Sequence, residues 1–383
     1  MLNKKIIMLE NLPFNSYVRV GSHHYADLFS REFKLLWISL PFHIFQLLKF
    51  GSKDRVKSWN FNRPIKIREH FYAFTPFILF PYRKKSLFTS KWYINNMYYF
   101  IPGIKKIIKH LGFKDADILW FTDPRHVSIL KYLKPKKIYY RCVDNLKEFP
   151  DVPKSLIDIE KELIKMADAV FFTSLKLLNE FKYLNKRSIY LPNGCSIELL
   201  KSNKINQSFL CDIFKTDKIN ILYVGTIGDW IDFDQIEYLS DKREFNIIFI
   251  GPIRTRIPEH LKEKSNIKFV GPVEYYFLGD IYKRANIGLI PFKVNDLTNA
   301  INPVKLYEYC LFGIPVVCPD LNGIKDINIP IFTYGRNNPI INTIYKAYEA
   351  SLNYNFKIKL ISFAENNTWQ KRYNEIRHII LEE

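Results

Sequence analysis

The chain is short of residues that staple or anchor a protein. Its 383 residues include five cysteines, Cys142, Cys195, Cys211, Cys310 and Cys318, an odd number with no Cys-x-x-Cys pair. That pattern argues against a disulfide framework or a cysteine zinc site. Reduced thiols in a cytoplasmic protein fit it best. No uninterrupted apolar run reaches 18 residues, so no spanning helix is expected. The N-terminal apolar run, up to Leu9, is too short for a signal peptide and reads as a first buried strand. Short-period repeats and low-complexity tracts are also lacking. Acidic residues are the scarcer charge, with 38 Asp plus Glu against 57 Lys plus Arg and a net charge of +19. So basic a chain favours polyanions: nucleic acid, anionic lipid headgroups or phosphorylated substrates.

What is present is ordinary for a soluble globular protein, with 48% hydrophobic and 25% charged residues. Aromatic content is high, with 31 Phe and 24 Tyr. The length suggests two domains, or one large one. Strand Lys5–Leu9, a loop, a helix opening near Arg19 to Phe29 and strand Lys34–Ser39 make a βαβ start. Further strands are read at 117–122, ending at Asp123, and from Lys137 to Asp144. Ligands of parallel sheets sit off strand carboxyl ends, where both aspartates fall. A helix is expected over 155–167, with Ile159, Leu163 and Met166 on one side. Residues 200–218 are polar and read as a linker before a second αβ series with strands near 220, 245, 267 and 287. Terminal helices are expected over 362–383. Between residues 40 and 110 lie the amphipathic run Phe42–Phe50, the apolar run His70–Tyr82 followed by Arg83-Lys84-Lys85, and the aromatic cluster Lys91–Phe100. Aromatics beside Lys and Arg suit a membrane interface, or equally a core strand and helix with a basic turn.

One stretch organises the rest: Asn302-Pro-Val-Lys-Leu-Tyr-Glu-Tyr-Cys-Leu-Phe-Gly-Ile-Pro-Val-Val-Cys-Pro319. Pro303 suits a helix start. Leu306, Tyr309 and Cys310 recur at helical spacing. Gly313 suits the position after the helix end, and Ile314–Cys318 reads as a buried parallel strand. Lys305 and Glu308, three apart, are expected to be neighbours at the first turn. A helix N-terminus attracts phosphate, Lys305 adds a full charge there, and Glu308 can accept from two ribose hydroxyls. A plain Lys–Glu surface pair would look the same in sequence.

Pro-x-Lys-Leu-Tyr-Glu-Tyr followed by Gly-x-Pro-Val-Val resembles the donor-nucleotide motif of GT-B glycosyltransferases, in particular the group of the xanthan glucuronosyltransferase and the teichuronic-acid glycosyltransferases. Ala167-Asp168 through Ser174 and Pro192-Asn193-Gly194 fit the family pattern at the end of its first domain. The resemblance implies an α/β GT-B fold, two Rossmann-like domains facing across a cleft. Residues 1–200 would form an acceptor domain, completed by a C-terminal helix at about 362–383, and 201–361 a nucleotide-sugar donor domain. It implies a UDP-sugar donor and a lipid-linked or polysaccharide acceptor at the inner face of the cell membrane, and the aromatic and basic runs with the net charge point to peripheral contact with anionic lipid. The donor would lie against Gly225, Thr226, Ile227, Gly228, Glu274, Val304, Lys305 and Glu308. Lys305 and helix N–H groups would meet the leaving diphosphate without a metal or other cofactor. No Asp-x-Asp at a strand end points to a metal-dependent GT-A enzyme. Asp144 is the candidate catalytic base of an inverting reaction, with Asp123, His23 and His24 on the acceptor side. Asp144 could instead cap the next helix. If configuration is retained, Asp144 is structural or binds the acceptor. Two other classes stay open: a basic nucleic-acid-binding protein, although no recognised RNA or DNA module is visible and nucleic acid is not the expected partner, and a GT-B UDP-sugar epimerase.

Overall fold

A computed structural model describes residues 4–43, 63–78, 91–149, 152–201, 205–325 and 327–382. Residues 44–50 of the amphipathic run, the end of the apolar run and Arg83-Lys84-Lys85 lie outside them. The chain divides into two compact units, residues 1–16 with 22–192, and residues 17–21 with 193–383.

The first unit is built on a sheet of eight strands among the described residues: β1 (Lys5–Glu10), β2 (Lys34–Ser39), β3 (Ile65–Arg68), β4 (Phe71–Phe74), β5 (Ile118–Phe121), β6 (Lys137–Cys142), β7 (Ala169–Phe172) and β8 (Ser188–Tyr190). Their order is β3-β4-β2-β1-β5-β6-β7-β8. Every pairing is parallel except the β3–β4 hairpin. The central strands are unbroken apolar runs because both faces are covered. Ile6–Leu9, Leu35–Ile38 and Leu119–Phe121 are almost wholly inaccessible to solvent. Trp120 stacks on Phe171, ring centroids 5.2 Å apart. Helix α1 (Gly21–Phe29) follows β1, and α2 (Lys154–Met166) lies between β6 and β7. The apolar face of α2 is Leu156, Ile159, Leu163 and Ile164; Met166, expected on that side, is exposed. It is the last residue of the helix.

The second unit has a six-stranded, all-parallel sheet: β9 (Ile219–Val224), β10 (Phe245–Ile250), β11 (Ile267–Gly271), β12 (Ile287–Leu289), β13 (Val316–Pro319) and β14 (Phe332–Tyr334), in the order β11-β10-β9-β12-β13-β14. The helices used below are α3 (Phe233–Ser240), α4 (Leu278–Tyr282), α5 (Val304–Leu311), α6 (Ile340–Leu352) and α7 (Trp369–Leu381). Residues read as a linker include a helix, Gln207–Ile213, whose Leu210 and Ile213 join the core. Helix α7 groups with this unit: Trp369 N donates to Cys195 O at 3.0 Å and Cys195 N to Asn367 O at 3.1 Å.

Candidate functional site

In the second unit the site begins with how α5 is fixed. The helix ends in a Schellman motif: Gly313 N donates to Cys310 O at 2.9 Å and Ile314 N to Tyr309 O at 3.0 Å. Gly313 has φ of 66°, which glycine adopts without strain. Tyr309 runs from the helix into the sheet. Its hydroxyl donates to Leu222 O at 3.0 Å and accepts from Val224 N at 3.1 Å, both on β9. The ring passes over Gly288 of β12, where any Cβ would run into it. Residues 306–311 are all buried, so α5 is a core helix with only its N-terminal end open.

Asn302 precedes that end. Its Oδ1 accepts from Asn193 N at 2.9 Å and its carbonyl from Asn193 Nδ2 at 2.5 Å. The Pro-Asn-Gly segment and the 302–319 stretch thus meet directly. Pro303 serves as N-cap, and Val304 is the first helical residue.

Lys305 and Glu308 are not the ion pair that their spacing suggests. No carboxylate oxygen among the described residues comes within salt-bridge distance of the Lys305 ammonium. Its Nζ lies 4.9 Å from the Tyr223 ring centroid and 5.0 Å from that of Phe292. Burial holds its pKa down to about 8, against a smaller opposing pull from Glu308. Glu308 turns the other way. Oε1 accepts from Tyr275 at 3.1 Å and Oε2 from Tyr282 at 2.7 Å. Burial raises its pKa, with both phenols and Lys305 acting against that rise. The two side chains separate because each finds a stronger buried environment than the other offers: aromatic faces for the cation, phenol donors for the anion.

The glycine loop sits against Lys305. At Gly225, φ is 142°, and a Cβ there would come within 3.2 Å of Lys305 Nζ. Gly225 N donates to Ile250 O at 2.8 Å. Ile227 is buried and its N–H is taken by Pro252 O at 2.9 Å, so this residue holds the loop rather than presenting a donor. Thr226 and Gly228 have backbone N–H groups that donate to no acceptor among the described residues, and the Thr226 carbonyl accepts from Tyr223 at 2.8 Å. Glu274 is exposed, directly before Tyr275. The loop and Lys305 therefore meet at the carboxyl end of β9, while Glu308 faces Tyr275 and Tyr282, with exposed Glu274 directly before Tyr275.

In the first unit, Asp123 and Asp144 both follow sheet strands, as read. Their environments differ. Asp123 is buried and held by Arg125: Oδ1 accepts from the backbone N at 2.9 Å and from Nε at 2.9 Å, and Oδ2 from Nη2 at 2.5 Å. Burial pushes its pKa up, but the Arg125 charge and hydrogen bonds outweigh that and hold it low. Asp144 is only partly buried, and its carboxylate makes no hydrogen bond or ion pair among the described residues. It does not cap the following turn, whose N-cap is Asn145. Burial raises its pKa and Arg141 opposes this. His23 is fully buried between Phe14 and Trp37, at ring-centroid distances of 5.5 and 4.8 Å. His24 is buried beside it on α1.

Sequence reasoning missed two acidic groups near these. Glu10 is the last residue of β1, not part of the loop after it, and is buried with Oε1 accepting from Thr122 at 2.8 Å. Burial lifts its pKa to about 7 against the pull of Ser22, Thr122 and Arg141. Glu160 on α2 accepts from Tyr140 at 2.5 Å and is likewise raised by burial to about 7. A visible signal existed for Glu10: strand Lys5–Leu9 is followed at once by an acid at the edge where ligands bind. Among the described residues no group of three or more His, Cys, Asp or Glu side chains is arranged to hold a metal ion.

No family model matches the chain. It is 25% identical, over 233 residues and 55% of its length, to a Bacillus subtilis (strain 168) protein provisionally named teichuronic acid biosynthesis glycosyltransferase TuaH. That match spans 57% of the relative, less than two thirds of its length. Solved structures of similar fold include a sucrose-phosphate synthase from Thermosynechococcus elongatus, with TM-score 0.71, 12% identity and coverage of 99% of this chain and 98% of that one. HepE from Anabaena, in complex with UDP and glucose, matches with TM-score 0.67 and 13% identity over 99% of both chains. The fold is therefore GT-B, with its two Rossmann-like sheets, as the sequence resemblance implied.

Proposed function

We propose that the chain is a glycosyltransferase that moves a sugar from a UDP-sugar to a lipid-linked or polysaccharide acceptor, with inversion and without a metal. The observation that carries this reading is Lys305. It is a cation with no carboxylate partner among the described residues, at the open N-terminal end of a core helix and beside the Gly225 loop. A half-buried ammonium held without a counter-ion is prepared for an anion that arrives with substrate. The Lys305 charge, the α5 N–H groups and the idle N–H groups of Thr226 and Gly228 form one donor set for a diphosphate. Glu308 keeps an acceptor site on each oxygen beyond those used by Tyr275 and Tyr282, suited to two ribose hydroxyls. Similarity to a protein solved with UDP and glucose supports the same nucleotide class here.

In the proposed step the acceptor hydroxyl oxygen bonds to the anomeric carbon of the donor sugar. The bond from that carbon to the β-phosphate oxygen breaks, and its electron pair leaves with UDP. The hydroxyl proton passes to the Asp144 carboxylate. Asp144 suits this better than Asp123 because its lone pairs are uncommitted, whereas Arg125 occupies both oxygens of Asp123. A carboxylate whose pKa is raised is also a stronger base.

Peripheral membrane contact at the cytoplasmic face belongs to the same reading. Trp92 and Tyr99 are 66% and 59% exposed, and the Lys105 ammonium stacks on Tyr132 at 4.1 Å beside Tyr99. Exposed aromatics interleaved with lysines suit an anionic bilayer surface. No helix among the described residues is long and apolar enough to cross a membrane.

The test is UDP release by the full chain from UDP-glucose and UDP-glucuronate, with membrane extract as acceptor, alongside calorimetric titration with UDP. Acceptor-dependent release and UDP binding are the expected results. Absence of UDP binding at roughly millimolar concentration would overturn the reading.

A further inference from the structure

A cavity of about 410 Å³ opens in the second unit on the carboxyl side of β13 and β14. Its walls come from the start of α3 (Asp232, Gln235), the strand ends Pro319 and Tyr334, the turn residue Arg336, the start of α6 (Ile340) and Phe292. None of Gly225, Lys305 and Glu308 lines it. Phe292 is shared, since the same ring faces the Lys305 ammonium at 5.0 Å.

Several polar groups around this cavity have hydrogen-bonding capacity left unused among the described residues. Tyr334 is only 6% exposed, yet its hydroxyl has no hydrogen-bond partner among the described residues. Asp232 uses Oδ1 to cap α3, accepting from Gln235 N at 3.3 Å, and its second oxygen has no partner among the described residues. The Gln235 carboxamide and the Arg336 guanidinium are also unpaired among the described residues. A buried phenol left without a partner carries an unrecovered desolvation cost, which an incoming hydroxyl would relieve. Between these groups the lining is apolar or aromatic: Phe292, Val294, Tyr238, Pro319 and Pro339.

We infer that this cavity is a saccharide-binding subsite, separate from the donor-nucleotide site and taking a pyranose unit. A pyranose presents an apolar face of C–H groups and a rim of hydroxyls that both donate and accept. The rings and prolines match the face. Asp232 and Gln235 accept from hydroxyls, while Tyr334 and Arg336 donate to them. A phosphate would meet the uncommitted Asp232 oxygen, and an alkyl chain would leave both that oxygen and the Tyr334 hydroxyl unpaired. The volume lies within the usual ~300–1,000 Å³ of small-ligand pockets and accommodates roughly one or two rings. With Phe292 as the common wall, such a subsite would hold a stretch of saccharide next to the proposed donor site.

The test is saturation-transfer NMR on the full chain with glucose, glucuronate and N-acetylglucosamine at roughly 10 mM, each with and without saturating UDP. The expected result is transfer to pyranose C–H protons that persists under UDP. Tyr334→Phe and Gln235→Ala should each weaken it about 2- to 10-fold, the loss of one hydrogen bond, with UDP titration unchanged. Tyr334→Phe removes only the oxygen, and a thermal melt on each variant separates misfolding from lost binding. Three results would overturn the inference: no transfer to any sugar, transfer abolished by UDP, or transfer unaffected by both variants. A thermal shift produced by inorganic phosphate but by no sugar, and lost in Tyr334→Phe, would assign the cavity to an anion and also overturn it. Failure of UDP binding with sugar binding intact would leave this subsite standing and remove only the nucleotide reading.

Discussion

Lys305→Met should make the protein more stable and a poorer binder of UDP. In the folded chain burial lowers the Lys305 pKa from 10.5 to about 8, which corresponds to roughly 3 kcal/mol of cost for keeping the ammonium charged at pH 7. The Tyr223 and Phe292 faces return about 0.5–1 kcal/mol each. Methionine fills a similar volume without the charge, so the expected gain is about 1–2 kcal/mol. At ~2–4 °C per kcal/mol for a unit of this size, the melting temperature should rise by a few degrees. The sign with pH follows from proton counting. Between about pH 8 and 10.5 the unfolded chain still holds a proton that folded Lys305 has released, so the stability of the unsubstituted protein rises with pH. The advantage of Lys305→Met should therefore shrink across that window. UDP affinity should fall by roughly 10- to 150-fold, the loss of one charge-assisted hydrogen bond of ~1.5–3 kcal/mol. Melts at pH 7, 8.5 and 10 with UDP titration at pH 7 check all three statements. A destabilised variant with unaltered UDP affinity and a pH-independent gap would refute the reasoning, because it would make Lys305 a structural residue.

Asp144→Asn should reduce turnover by about 10²- to 10⁴-fold while UDP affinity stays unchanged, measured by UDP release and calorimetry; a joint loss would indicate a folding role. Glu10, raised from 4.5 to about 7 by burial, holds its proton in the folded chain over that interval, so stability should fall as pH rises from about 4.5 to 7. Glu10→Gln should remove that slope in urea melts at pH 5 and 7.5. Tyr309→Phe should cost about 1–3 kcal/mol by leaving Val224 N–H and Leu222 C=O without their side-chain partner, read from the shift in urea midpoint.

The helix–glycine–strand signal at 302–319 was legible because Pro303, the apolar spacing and Gly313 all point the same way, and the Schellman bonds follow from it. The central strands were legible as apolar runs, whereas the short strands β3, β8 and β14 were not read as strands. The partner choices of Lys305 and Glu308 were not. Helical spacing brings two Cβ atoms together but says nothing of Tyr275, Tyr282, Tyr223 or Phe292, which reach the helix from other loops and strands. For the same reason Tyr309 read only as an apolar-face residue. Its hydroxyl contacts on β9 depend on a gap at Gly288, which sits 21 positions away in a different strand. Glu10 was misplaced by one residue at a strand end, where pattern reading is least sharp.

The Tyr309 phenol works as a dowel between a helix and the sheet beneath it. With its tip seated on Leu222 and Val224 and its ring lodged in the slot at Gly288, α5 can neither slide nor roll without unseating two strands. If this half binds a sugar nucleotide as proposed, evolution or design that retunes its selectivity must leave the helix where it is and rework the turns around it. Tolerated diversity should concentrate at exposed turn residues such as Asp229, Pro272 and Glu274 rather than along 304–311.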